Sequence, residues 1–167
     1  VLNKQRTNVY ARRRKILEAL NKEELAKIIF EATSAHLEQI YSVLSSREPY
    51  GENIASTDEE FKKILEEAAI TNKDQPFPAN PTPENLKPIL EKRSAEITND
   101  PITSNRLLSI LDLLWMNHLE DLEALQESIG LRAYGHKEPL VEYRREAHRL
   151  FQSFWNNFNA WIFANLF

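Results

Sequence analysis

The chain has 167 residues, 42% hydrophobic and 28% charged, with three glycines, no cysteine and a net charge of −4. This length fits one domain, or two small subdomains sharing a core, and the composition is that of a folded chain. The lack of cysteine excludes a disulfide framework and a thiolate metal site, while scarce glycine and abundant helix formers point to an all-α fold.

Four histidines, His36, His118, His136 and His148, are widely spaced and follow no metal-ligand pattern, so no metal is expected. Charge is uneven. Lys4, Arg6, Arg12, Arg13, Arg14 and Lys15 against Glu18 give the first twenty residues +5, which leaves −9 for the rest. A basic first helix on an acidic body suggests a charge-complementary partner or an internal contact. Nucleic acid is not favoured, because a single basic run is weak evidence for it. The start VLNKQRTNVYARRRK has no apolar stretch of a signal peptide, and no run of 18 apolar residues predicts a membrane span. Beginning at Val1 within a helical pattern, the chain is expected to be a piece of a longer protein.

The first stretch, residues 1–45, places Leu2, Val9, Ile16, Leu17 and Leu20 at helical spacing. Leu25, Ile28, Ile29, Ala32, His36, Ile40 and Leu44 continue it. Asn21 with Glu24 can cap a second helix, or can lie on the exposed side of one long helix; the sequence leaves both open. The second stretch, residues 46–100, opens with a loop around Pro49 and Gly51. Thr57 and Glu60 predict a capping box, followed by a short helix with Phe61, Ile64, Leu65 and Ala68 inward. QPFPANPTPENLKP then holds five of the eight prolines and excludes regular helix until about Pro83 or Pro88. A further helix is expected over about Ile89–Thr98.

The third stretch, residues 101–167, starts at Asp100-Pro101, a cap and a first helical position. Leu108, Leu111, Trp115, His118, Leu122, Leu125 and Ile129 then alternate steps of three and four, a heptad seam that contains one histidine. Pro139 restarts a helix with Leu140, Tyr143, Ala147, Leu150, Phe154 and Trp161 at heptad spacing, broken at Asn157. Phe151, Trp155, Phe158 and Ile162 widen that stripe. Two such helices joined by a short link predict an antiparallel hairpin with arms about 40 Å long. Gly130 is expected to end the first arm in a left-handed conformation and Gly135 to turn the chain. Glycine accounts for the turn but not for Arg132, Tyr134 and Lys137 around it. The tail from Leu150 onward carries no charge, which favours core packing against the first stretch, or a surface exposed by truncation, over a membrane interface.

Several motifs resemble one family. Trp115, His118 and Leu119 match a Trp-x-x-His-Leu pattern. Leu131, Arg132, Tyr134, Gly135, Lys137 and Pro139 match a Leu-Arg-Gly-Tyr-Gly-Gln-Lys-Asp-Pro tip. Glu142, Tyr143, Arg144 and Glu146 match Glu-Tyr-Lys-x-Glu, and the opening NKQRTNVYARRRKIL is similar to the entry of a long scaffold helix. Together these cover about half of the chain, at both its ends, and resemble the C-terminal helical region of the SecA family, ATP-driven motors of preprotein translocation. The resemblance implies a long scaffold helix, a small helical wing and an antiparallel two-helix finger, in the order of the three stretches.

It further implies that Tyr134 at the finger tip touches the moving polypeptide, with Arg132, His136 and Lys137 beside it, docking on the SecY channel. Arg12, Arg13 and Arg14 would contact preceding motor domains. Trp115 and His118 fall in a region linked to motor control, although a satisfied core histidine is the simpler account of His118. Ala133, His136 and Glu138 depart from the family's Gly, Gln and Asp. No phosphate-binding loop or catalytic constellation occurs in the chain, so ATP and magnesium are expected in the parent protein only. The implied location is the cytoplasmic face of a bacterial plasma membrane, held peripherally. The alternative is a stand-alone helical interaction module whose basic helix binds an acidic partner or RNA.

Overall fold

The computed structural model describes residues 1–18, 21–47, 56–68, 78–132 and 138–167. These form six helices and no strand: α1 (Leu2–Leu17), α2 (Lys22–Ser45), α3 (Thr57–Glu67), α4 (Pro83–Ile97), α5 (Thr103–Arg132) and α6 (Pro139–Leu166). The all-α expectation holds.

Local chemistry sets where these helices begin. The first stretch is two helices: Asn21 caps α2, its side-chain oxygen accepting from the Glu23 amide at 3.1 Å. The α3 capping box lies one residue earlier than predicted. The Ser56 hydroxyl accepts from the Glu59 amide, and the Glu59 carboxylate accepts from the Ser56 amide, both at 3.2 Å. Thr82 and Asn85 form the same reciprocal pair ahead of α4, with Pro83 at the first helical position. Helix α4 therefore starts six residues before Ile89 and contains Pro88, whose missing amide is tolerated on the exposed side. Asp100 and Pro101 do not open α5. The Asp100 side chain accepts from the Ile102 amide at 3.0 Å and closes a turn, so the helix begins at Thr103. Gly130 does not end α5 either; it is helical, and the arm runs on to Arg132.

The described residues fall into two compact units. One joins α1 to Ser104–Phe158, and the other comprises Asn21–Thr103 with Asn159–Phe167. In the first, α5 and α6 pack antiparallel: Trp115 meets Phe154, His118 meets Phe151, and Arg132 meets Glu146. Helix α1 lies antiparallel to α5, with Gln5 at His118, Tyr10 at Trp115 and Arg13 at Asp112. It runs parallel to α6, with Gln5 at Ala147 and Arg12 at Trp155. The α5 seam is buried as Leu107, Leu111, Trp115, His118, Leu122, Leu125 and Ile129, so Leu107 takes the first place predicted for Leu108. Near the tip, Leu122, Leu125, Ile129 and Ala147 form a cluster covered by Leu2, Tyr143 and Leu150.

In the second unit α2 and α4 pack antiparallel, with Lys22 opposite Asn99. Its core is Leu37, Leu44, Phe61, Leu65, Leu86, Leu90 and Phe163. Leu37 is fully buried, whereas His36 and Ile40 of the predicted stripe are half-buried. The charge-free tail is core material: Ile162 and Phe163 are buried, and Phe163 packs on His36 with ring centroids 5.2 Å apart.

Candidate functional site

The first unit carries the residues singled out in the sequence, around a seam of aromatic rings. Trp115, His118, Phe151 and Phe154 pack with centroids 5.5 to 6.1 Å apart, and Trp155 meets Phe154 edge-on at 4.9 Å. Edge-to-face rings at such spacings add favourable quadrupole contacts to their area burial.

One polar link crosses this apolar seam. The Gln5 amide nitrogen donates to the Ala147 carbonyl at 3.1 Å, and the Gln5 side-chain oxygen lies 2.8 Å from Nε2 of His118. Because the amide nitrogen is committed to a carbonyl, the oxygen is the acceptor and His118 donates its Nε2–H. The backbone carbonyl thus fixes both the amide orientation and the side of the imidazole that carries hydrogen. Burial pushes the His118 pKa below its ordinary value, with Asp121 pulling more weakly the other way, so the neutral ring is favoured. His118 is a buried core histidine with a partner.

The three arginines of α1 are placed differently. Arg12 stacks over the Trp155 ring at 5.7 Å. Arg13 grips Asp112 with two hydrogen bonds, Nε to Oδ1 at 2.8 Å and Nη2 to Oδ2 at 3.1 Å. Arg14 is exposed. An internal contact therefore uses part of the basic run, as one of the two sequence expectations had it. An open cleft of about 780 Å³ between α1 and α5 is lined by Tyr10, Arg13, Arg14, Leu17, Asp112 and Met116, among others.

At the far end of the hairpin, Arg132 forms an ion pair with Glu146 at 2.8 Å. Tyr134, His136 and Lys137, with Ala133 and Gly135, lie outside the described residues. Sequence reasoning missed Gln5, although its position three residues after Leu2 and four before Val9 places it on the buried stripe. Among the described residues no group of His, Asp and Glu is arranged to hold a metal, and no helix is long and apolar enough to cross a membrane.

Over residues 1–167 the sequence matches the family described as the SecA Wing and Scaffold domain. The chain belongs to that family. Among similar curated proteins, the protein translocase subunits SecA of Crocosphaera subtropica and Microcystis aeruginosa are each 34% identical over 90% of the chain. That of Nitratidesulfovibrio vulgaris is 29% identical over 99%. The chain spans only 17% to 20% of the length of these SecA relatives. The match runs through residues 46–100 as well, whereas the sequence motifs had covered the two ends of the chain.

Proposed function

We propose that this chain is the scaffold, wing and finger portion of a SecA-type preprotein translocase. In that role it transmits ATP-driven motion, generated elsewhere in the parent protein with magnesium, to a preprotein entering the SecY channel. The parent would act at the cytoplasmic face of the plasma membrane as a peripheral protein. Support comes from the family match along all 167 residues, joined to a hairpin whose long arms are locked by aromatic packing.

A working hairpin has to carry force to its tip without bending. The antiparallel α5–α6 pair, buttressed by α1 along Arg13, Tyr10 and Gln5, is suited to that. Tyr134 would meet the polypeptide, since an amphipathic ring holds an arbitrary chain by apolar contact and hydrogen bonding. Arg132, His136 and Lys137 would favour docking on acidic or carbonyl-rich channel surfaces. Arg14, exposed in the last turn of α1, would be the one of the three arginines to meet the motor domains.

The test uses the whole parent protein with a photo-crosslinking residue at Tyr134, in an ATP-driven translocation reaction on channel-containing vesicles. Adducts with preprotein or channel that require ATP, and that exceed those from the same probe at exposed Lys62 of α3, are expected. Equal yields at the two positions would overturn the finger assignment.

A further inference from the structure

We infer that Gln5 is a positioning residue: through His118 and the Ala147 carbonyl it fixes the register in which the α5–α6 hairpin sits on α1. Among the described residues of the first unit, Gln5 and His118 are the two buried polar side chains, and they bond to each other. Every other buried side chain in that seam is apolar. An apolar seam with steps of three and four specifies register poorly. Sliding α5 by one turn presents Trp115 or Leu122 to Gln5, and sliding it by a heptad presents Leu111 or Leu125.

Each of those slips keeps oil against oil but leaves the Gln5 side-chain oxygen and the His118 N–H buried without each other. That penalty falls on every register except the observed one. A single polar residue at a core position of a coiled coil selects alignment by the same logic. The link also ties three helices at once, because Gln5 spends its oxygen on α5 and its nitrogen on α6. It sits near the start of α1, whereas the Arg13–Asp112 pair is two turns away and half-exposed, where water can replace a lost partner at little cost. The register lock holds whether or not the parent protein moves preproteins.

The test introduces cysteine pairs into the parent protein, stripped of any cysteine outside these 167 residues, which contain none. One pair, Arg13→Cys with Asp112→Cys, reports the observed register. Two others, Arg13→Cys with Ser109→Cys or with Met116→Cys, report slips of one turn either way. All three remove the Arg13–Asp112 ion pair alike. With Gln5 and His118 intact, the first pair should oxidise about tenfold faster than the others, as a penalty of one or two kilocalories requires.

In a Gln5→Met, His118→Leu background, which keeps the volume and removes both polar groups, helicity by circular dichroism should be retained and the preference should collapse. A folded double variant that still strongly prefers 13–112 would overturn the proposal. Single variants add an independent check: Gln5→Met alone and His118→Leu alone should each lower the melting temperature more than the double change does. Additive losses would overturn the coupling between the two residues.

Discussion

The guanidinium of Arg13 and the carboxylate of Asp112 face each other edge to edge, two hydrogen bonds joining α1 to α5 across 99 positions of chain. The geometry is the planar fork that lysine cannot reproduce. Asp112 holds the Arg13 pKa above its already high value, chiefly by hydrogen bonding, so the guanidinium stays charged at every working pH.

Both partners remain half-exposed, at 39% and 47%. Arg13→Lys should therefore lower the melting temperature only slightly, by about one or two degrees at low salt. The difference should shrink in 1 M salt, where the Debye length is about 3 Å. Melting curves at two salt concentrations check this.

Acid should weaken both units. Burial lowers the pKa of His118 and of His36 below the ordinary value of about 6.5. A base depressed in the folded state takes up its proton more readily when the chain unfolds. The stability is thus fully present above about pH 6.5 and is lost as pH falls through that value toward the lower folded pKa. Melting temperature should drop between about pH 7 and pH 5, and a His36→Gln, His118→Gln variant should show a shallower fall.

Phe61 is fully buried in the second unit, edge-on to Tyr41 at 5.2 Å. Phe61→Ala should cost about 3–5 kcal/mol in denaturant unfolding, through lost transfer energy and the cavity left behind. Met116, 61% exposed in the α1–α5 cleft, is the contrast; Met116→Ala should fall within about 0.5 kcal/mol of no change.

The Asn21 cap separates α1 from α2 in sequence. Asn21→Ala should destabilise by about 1 kcal/mol, because the Glu23 amide loses its acceptor, whereas Asn21→Gly should cost only a few tenths. Amide exchange at Glu23 and Glu24 should rise in the alanine variant.

Periodicity made five helical stretches and the hairpin legible, because burial imposes steps of three and four on any amphipathic helix, but it left open whether residues 1–45 hold one helix or two. The errors arose where adjacent residues were chemically equivalent. Leu107 and Leu108 can both begin a seam, and only packing chooses between them. Ser56 and Thr57 can both cap, each with a glutamate three residues on, at Glu59 or Glu60. Pro88 hid the first half of α4, because a proline that breaks most helices is tolerated on an exposed face. Gln5 was overlooked for the opposite reason: its spacing was right but its polarity argued against burial. Only the combination of His118 and the Ala147 carbonyl makes that burial affordable.

Gly130 stands in the last turn of α5, and a Cβ added there would meet nothing within 4 Å. Its smallness serves no neighbour, so what glycine supplies is looseness, about 1 kcal/mol of helical preference forgone relative to alanine. The arm is pinned at its middle by Gln5 and His118 and eased at its end. Along this helix, stiffness is concentrated where α1 holds it, and the last turn before Arg132 is the easiest to bend.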